Sequence, residues 1–221
     1  MRIEEKNYNT KLVRPAPFVF QSQSLDLLII LTSWGEGKMK EVITNEIEKF
    51  LFAAQGDFEA TSPFEYNLAL TKDSNSLRMA TLIANDQIYR SENNSELRTC
   101  YEILILLKNK FQLTWVQVGN PNAILLSDDP IPITFSPPAM KPKKGSSLSL
   151  PGQFLGTEMH CHFQVGTVEI QDGDKLLLFS DNSLSPSSWL LNKKDSTLDS
   201  FVKSQIKHHS ENPFWMGLVN L

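Results

Sequence analysis

The stretch Leu27-Leu28-Ile29-Ile30-Leu31 is a short, continuous apolar run. A run of this length without alternation is typical of a strand that is buried on both faces. The segment from Thr32 to Gly37 follows as a glycine-bearing loop, and a helical pattern then runs from Met39 to a stop signal at Gly56. The apolar stripe of this predicted helix consists of Val42, Ile43, Ile47, Phe50, Leu51 and Ala54.

The remainder of the chain predicts one more long helix, then strands, then a last helix and a strand. Ser62-Pro63-Phe64-Glu65 carries the capping signals of a helix start, and the pattern ends near Asn93, with a weak point at Asp73 to Ser76. The predicted later elements are a hairpin (101–107 with 113–118), a strand (123–126), a second hairpin (163–170 with 175–179), a helix from Ser196 and a strand (214–221). This order indicates an α+β domain.

Length and charge limit the classes of protein that this chain can be. A chain of 221 residues suits a single domain, here 1–221, and 25 acidic against 21 basic residues argue against general nucleic-acid binding. The charged start is unlike a signal peptide, no apolar run could cross a bilayer, and Cys100 and Cys161 suit a reducing compartment. We therefore expect a soluble, cytoplasmic protein with no membrane or nucleic-acid partner. Residues 136–151, rich in Pro, Ser and Lys, predict a flexible surface loop or a docking loop for an acidic partner.

Few side chains point to chemistry by themselves. His160 and His162 would share a strand face, but zinc needs further ligands, and surface histidines are the simpler interpretation. The sequence contains no Gly-x-Ser-x-Gly elbow, P-loop or dinucleotide fingerprint. Asp181 follows an apolar strand and Glu211 precedes one, so each is either a turn residue or a ligand for a hard cation.

Several segments, taken in order, resemble motifs of the metal-dependent protein phosphatases, the type 2C serine/threonine phosphatases, in their bacterial form. The similar segments are Asn7-Tyr8-Asn9, Ile29 to Glu36, Lys40-Glu41-Val42, Trp115 to Ala123, Leu155-Gly156-Thr157, Val165 to Val168, Gly173 to Asp181 and Glu211-Asn212. Gly173-Asp174-Lys175-Leu176-Leu177-Leu178-Phe179-Ser180-Asp181 is the most similar of them. The resemblance implies two stacked antiparallel sheets flanked by α-helices.

The resemblance also implies a two-metal centre, of manganese or magnesium, whose bridging water attacks phosphorus. Two dications at close range repel strongly, so such a centre needs several anionic oxygens. The position of the bridging aspartate holds Thr32, and the glycine after it is Ser33. A neutral hydroxyl cannot bridge two hard cations and balance their charge.

Other positions that the resemblance marks as functional also differ in charge from the family pattern. They are Asn9 and Asn120 in place of aspartates, Ser185 in place of a third-metal acid, and Glu4 in place of the phosphate-binding arginine. Among the family's ligand positions, only Asp181 and Glu211 keep a carboxylate.

The sequence therefore predicts a degenerate type 2C phosphatase-like domain, a pseudophosphatase without catalytic residues. It would bind a phosphoprotein, kinase or other signalling partner and need no cofactor. We name Asp181 and Glu211 as the remaining metal ligands, and Asn9, Thr32, Ser33 and Asn120 as vestigial site positions. Thr32, Ser33, Asn9, Asp181 and Glu211 are expected to converge at one end of the sheets. The alternative is an active phosphatase, dependent on Mn or Mg, with an altered metal site on Asp181 and Glu211. A third option is a domain of this fold with an unrelated scaffolding task.

Overall fold

The computed structural model describes residues 1–8, 15–56, 64–128, 131–134, 153–180, 184, 196–208, 210 and 213–221. The chain forms two compact units, each built around one five-stranded sheet. We call them the central unit, residues 17–119 and 153–169, and the terminal unit, residues 1–16, 120–152 and 170–221. That residues 1–221 form a single domain stays a prediction, and the loop 136–151 lies outside the described residues.

The sheet of the central unit has the strand order β2-β3-β4-β5-β8 and is antiparallel throughout. Its strands are β2 (Phe18–Gln21), β3 (Leu27–Gly35), β4 (Thr99–Asn109), β5 (Gln112–Val118) and β8 (Gln164–Glu169). The helices α1 (Lys40–Gly56) and α2 (Lys72–Glu92) pack on one face. The core there joins alternate residues of β3 and β4, such as Ile29 and Ile105, to the apolar stripes of both helices.

The sheet of the terminal unit has the order β1-β10-β9-β6-β7, again with antiparallel neighbours. Its strands are β1 (Arg2–Tyr8), β6 (Asn122–Leu126), β7 (Ile131–Thr134), β9 (Lys175–Phe179) and β10 (Phe214–Asn220). The helix α3 (Leu198–His208) buries Leu198 and Phe201 against this sheet. Two antiparallel sheets with helices confirm the predicted α+β class.

The predicted start of the second helix is wrong. Helix α2 begins at Lys72, where the Thr71 hydroxyl accepts a hydrogen bond of 3.1 Å from the backbone N–H of Ser74. Residues 64–71 are not helical, and Ser62 and Pro63 lie outside the described residues. The polar run predicted as a weak middle is the first turn of α2, and Asn75 there bonds the backbone of Asn67, Leu70 and Thr71. The predicted end is confirmed, because Asn93 is the C-cap.

The second predicted hairpin is also wrong, although both of its strands exist. Strand β8 pairs with β5 in the central sheet, whereas β9 pairs with β6 and β10 in the terminal sheet. Leu176, Leu177 and Leu178 of β9 are fully buried, and the backbone N–H and C=O groups of a buried strand need hydrogen-bond partners along both of its edges. A hairpin with β8 alone would have supplied one of the two.

Three strands were absent from the sequence-based prediction: β1, β2 and β7. They lie at sheet edges: β1 is mostly exposed and charged, and β2 and β7 have only four residues each, with a proline inside β7. One predicted stripe residue also differs, since Val42 is 45% exposed and Thr44 is buried instead. In the part of the chain that is described, no helix has the length and apolarity needed to cross a bilayer.

Candidate functional site

Strand β3 extends beyond the apolar run that predicted it. Thr32 and Ser33, expected in a loop, belong to the strand, and β3 ends only at Gly35. Thr32 is 2% exposed and lies opposite Glu102 of β4, while Ser33 is 8% exposed and lies opposite Tyr101. Successive strand residues point to opposite faces of a sheet. The two side chains therefore do not converge on one point, as a shared loop position would have allowed.

Glu102 is the residue that the sequence-based prediction missed. It is fully buried, stands directly across from Thr32, and its Oε2 accepts a hydrogen bond of 2.9 Å from the indole N–H of Trp34. Residues directly opposite in an antiparallel pair share a face, and Trp34 shares that face with Thr32. The sequence did hold a signal for it, since Glu102 is the one acid inside the apolar run 101–107. A charged residue is rarely fully buried without a partner, so an acid in such a run indicates a specific polar contact.

The end of β5 closes around this carboxylate. Gly119 has φ +72°, and a Cβ placed on it would lie 2.7 Å from both Cγ and Oε1 of Glu102. The amide of Gln117, on the same strand, donates a hydrogen bond of 2.7 Å to the carbonyl oxygen of Gly119. The Glu102 side chain therefore lies in a space that only a glycine at position 119 leaves open.

The connection from β3 to α1 is held by contacts within the protein. The hydroxyl of Thr99 donates to the carbonyl oxygen of Trp34 at 2.8 Å, and the backbone N–H of Met39 donates to the Tyr101 hydroxyl at 3.3 Å. Gly35 adopts φ +82°, where a side chain would overlap the carbonyl oxygen of Arg98. These contacts among described residues of the central unit give the connection a defined path.

Two asparagines tie the segment around Leu155 to the same end of β4. Leu155 exchanges backbone hydrogen bonds of 2.8 and 3.2 Å with Tyr101. The Asn85 side chain accepts from the Gly156 N–H at 2.8 Å, and the Asn93 amide donates to the carbonyl oxygens of Gly156 and Thr99, both at 2.6 Å. The Phe154 ring packs edge-on against Trp34, with 6.2 Å between ring centroids.

Burial controls the chemistry of the two thiols. Burial, with a smaller contribution from the nearby Glu102 carboxylate, raises the pKa of Cys100 to about 11. Burial alone raises the pKa of Cys161 to about 12. Neither thiol is therefore a nucleophile near neutral pH, because the thiolate is the reactive form. His160 and His162 beside Cys161 are exposed and precede β8, so the strand face that they were predicted to share does not exist.

Of the remaining predicted site residues, only Asn120 is among the described residues. Asn120 belongs to the terminal unit, is 3% exposed, and its Oδ1 accepts a hydrogen bond of 3.2 Å from the Asn122 amide. Asn9, Asp181 and Glu211 lie outside the described residues. The convergence of Asn9, Asp181 and Glu211 with Thr32 stays a prediction.

The donor set of the described residues does not fit a two-metal centre. Thr32 supplies a neutral hydroxyl where the resemblance implies a bridging carboxylate, and Glu102 is engaged by Trp34. Among the described residues, no group of three or more His, Cys, Asp or Glu side chains is arranged to hold a metal ion. Two dications need more negative charge than one buried carboxylate provides.

Comparison with solved structures identifies the fold. PppA of Pseudomonas aeruginosa, described as a key regulatory component of T6SS, has a TM-score of 0.65 at 11% identity over 98% of this chain and 96% of that chain. The serine/threonine phosphatase Stp1 of Staphylococcus aureus has a TM-score of 0.65 at 16% identity, over 99% and 94%. The catalytic domain of the phosphatase PstP, solved with two manganese ions, has 0.58 at 15%, over 98% and 96%.

These likenesses cover nearly the whole chain, and they are likenesses of structure. No protein-family model matches the chain, and no curated protein matches its sequence. The chain has the fold of the bacterial type 2C serine/threonine phosphatases, which confirms the resemblance seen in the sequence at the level of the fold. At identities of 11 to 16% the fold carries no activity with it.

Proposed function

We propose that this chain is a degenerate type 2C phosphatase-like domain, a pseudophosphatase that acts by binding a phosphoprotein, kinase or other signalling protein in the cytoplasm. The observation that carries the proposal is Thr32, a buried neutral side chain at the position that resembles the bridging aspartate. Asp181 and Glu211 would remain as the only ligands of the former site, and neither a catalytic residue nor a cofactor is expected. The regulatory role given to PppA is the kind of role that we propose for this chain.

The local packing supports a site that has lost its metals and kept its shape. Glu102 accepts the Trp34 indole hydrogen bond across the strand pair from Thr32, so a contact within the protein stabilises this strand end. An aspartate at position 32 would stand directly opposite this buried carboxylate. Like charges directly opposite each other destabilise a strand pair. A neutral side chain at position 32 and a buried acid at position 102 are therefore physically compatible.

The first test combines metal binding with hydrolysis. Manganese is titrated into the purified full chain by calorimetry, and hydrolysis of p-nitrophenyl phosphate and a phosphoserine peptide is followed with Mn²⁺ or Mg²⁺. We expect no hydrolysis above background and at most one weakly bound ion per chain, because two carboxylates cannot balance two dications. Turnover of roughly 1 per second or more, abolished by Asp181→Ala, would instead establish the active phosphatase with an altered metal site.

The variant Thr32→Asp sharpens this test, with Thr32→Asn as its neutral control of similar size. We expect Thr32→Asp to raise manganese affinity without restoring full activity, since Asn9 and Glu4 still leave nucleophile and phosphate poorly placed. Thr32→Asp should also lower stability without metal, and Glu102→Gln should relieve that loss. A Thr32→Asp variant that hydrolyses substrate at the rate of an ordinary phosphatase would contradict the proposed degeneracy at the other positions.

The second test addresses partner binding. The full chain is applied to an array of phosphoserine and phosphothreonine peptides, each paired with its unphosphorylated copy. Retention that depends on the phosphate, with the phosphate intact afterwards, supports a binding function. Loss of the phosphate during incubation with manganese would contradict it.

A further inference from the structure

Sheet edges are the places where a partner strand can be added, and each of the two sheets has two. An exposed edge presents unpaired N–H and C=O groups, and proteins usually protect it with charges, proline or shortness. The edge strands here are β1 and β7 in the terminal sheet and β2 and β8 in the central sheet. They are not protected equally.

Three of these edges carry protective features. Strand β1 has charged residues at four of its seven positions, Arg2, Glu4, Glu5 and Lys6, and five of its seven residues are exposed. Its Glu5 accepts a hydrogen bond from the Trp215 indole, and its Lys6 is paired with Asp199. Strand β7 has four residues and contains Pro132. Strand β2 also has four residues, and it begins directly after Pro17.

Strand β8 lacks all three features. It has six residues, Gln164-Val165-Gly166-Thr167-Val168-Glu169, without proline and with a single charge at its last position. On its inner side, β8 pairs with β5 along all six of its residues. Every residue of β8 keeps part of its surface exposed, whereas Leu113, Thr114 and Val116 of β5 are buried. Within the described residues, no strand pairs with the outer side of β8.

The middle of β8 is shaped by a glycine under an indole. A Cβ placed on Gly166 would lie 2.8 Å from the ring of Trp115, which stands opposite on β5. The indole therefore lies across the backbone of Gly166 and reaches the edge of the sheet, where it is partly exposed. Glycine inside a strand often marks a place where another backbone approaches closely. On the other face, Thr167 is held by Ser74 and Thr114 through hydroxyl contacts of 3.0 and 3.1 Å.

We propose that the outer edge of β8 binds an extended segment of a protein partner by strand addition. The segment would run antiparallel to β8, as all neighbours in this sheet do, with main-chain hydrogen bonds supplying most of the affinity. It would place an apolar side chain opposite Gly166, against the Trp115 indole, and a lysine or arginine opposite Glu169. This inference rests on the proposed function, since it names how the partner is held.

The single charge on β8 favours a foreign segment over a second copy of this chain. A second copy that paired antiparallel about Gly166 would place Phe163 opposite Glu169, so this carboxylate would face no cation. A partner with a basic residue at that position matches it, and opposite charges directly across a strand pair are favourable. Val165 and Val168 lie on opposite faces of β8, and each would pack against a β-branched side chain of the added segment.

The test uses the full chain and fluorescein-labelled synthetic peptides, with binding followed by fluorescence polarisation. The probe is Lys-Val-Thr-Phe-Thr-Val, flanked by serine and glycine, which sets Lys opposite Glu169 and Phe opposite Gly166 in antiparallel register. Its control has the same sequence with alternate backbone nitrogens methylated along one edge, which removes donors without changing side chains. We expect saturable binding of the first and at least tenfold weaker binding of the second.

A charge exchange tests the register. Glu169→Lys should bind the Lys probe about fivefold more weakly than wild type and a Glu-for-Lys probe about fivefold more tightly. Glu169 is exposed, so this variant should fold normally, and Glu96→Lys, at an exposed glutamate before β4, is the matched control that should change neither value. Equal binding of the methylated probe, or no binding of either probe, would overturn the proposal. So would a dimer, seen by light scattering, that Glu169→Lys dissociates.

Failure of this proposal and failure of the proposed function can be told apart. The hydrolysis and manganese measurements involve Thr32, Asp181 and Glu211, and none of these residues lies on β8. If peptides do not bind while hydrolysis is absent, only strand addition is wrong. If the chain hydrolyses phosphoserine while peptides bind to β8, strand addition stands as a docking mode of an active enzyme.

Discussion

The same two strands, β3 and β4, behave differently in their middle and at their end. In the middle, Leu28 to Leu31 face Ile103 to Leu106, and each of these side chains is at most 1% exposed. At the end, Thr32 lies opposite Glu102, and the Trp34 indole donates a hydrogen bond to the Glu102 carboxylate. The middle depends on apolar area, which tolerates many sequences, and the end depends on directed polar contacts, which tolerate few. A fold can therefore persist after the polar chemistry at its strand ends has changed.

The largest expected effect lies in the middle. Ile105→Ala removes a fully buried side chain between Ile29 and Val116, and we expect a loss of about 3 to 4 kcal/mol in the free energy of unfolding. Urea denaturation followed by circular dichroism measures it. Val42→Ala, at a position 45% exposed on α1, is the control and should change stability by less than about 0.5 kcal/mol. Equal losses for both would refute the assignment of this core.

The next effect tests how closely the strand end is packed. Gly119→Ala combines a left-handed backbone at φ +72° with a Cβ 2.7 Å from the Glu102 carboxylate, and we expect a loss of about 2 to 4 kcal/mol. Gly173→Ala is the matched control, because its φ is +84° and no atom lies within 4 Å of its Cβ. It should lose about 1 to 2 kcal/mol, which is the backbone cost alone. Indistinguishable losses in thermal melts would mean that Glu102 moves aside freely.

A smaller effect isolates the hydrogen bond at the strand end. Trp34→Phe removes the indole donor from the buried Glu102 carboxylate, and we expect a loss of about 1 to 3 kcal/mol. In the background of Glu102→Gln the same change should cost less, since a neutral amide needs this donor less than a carboxylate does. The double-mutant cycle measures the coupling, and a coupling within about 0.3 kcal/mol of zero would leave Trp34 as a packing residue only.

The smallest effect concerns the thiol beside this carboxylate. Glu102→Gln should lower the pKa of Cys100 from about 11, while burial, the larger cause, keeps it above the ordinary value. Thiolate absorbance against pH in a Cys161→Ala background measures the change, and Cys161 in a Cys100→Ala background should keep its pKa of about 12.

The same raised values give stability a definite dependence on pH. A thiol whose pKa is higher in the folded state stabilises the fold fully below the pKa of the unfolded thiol, about 8.5. This stability decreases as the pH rises through that value toward 11 for Cys100 and 12 for Cys161. Denaturation midpoints in urea between pH 8 and pH 10.5 should therefore fall in the wild-type chain and fall less in the double variant with alanine at both cysteines.

Much of the fold follows from local pattern in the sequence. The apolar runs 27–31, 101–107 and 175–179 are strands because a continuous apolar stretch of this length must be buried on both faces. The stripe from Ile43 to Ala54 is a helix because its spacing matches the helical period. The loss of carboxylates at 32 and 120 is likewise visible in the sequence, since it needs only the residue types and a resemblance of motifs.

Only the tertiary structure decided which strands pair and what surrounds the neutral positions. Strands β8 and β9 are neighbours in sequence but belong to different sheets, because pairing maximises burial across the whole sheet and local turn signals count for less. Thr71 rather than Ser62 caps α2, since Asn75 and Ser74 find backbone and hydroxyl partners there that no local pattern specifies. Glu102 lies 70 residues from Thr32 in sequence and directly opposite it in the sheet. Contacts between distant residues arise from strand register, and register is a property of the folded sheet as a whole.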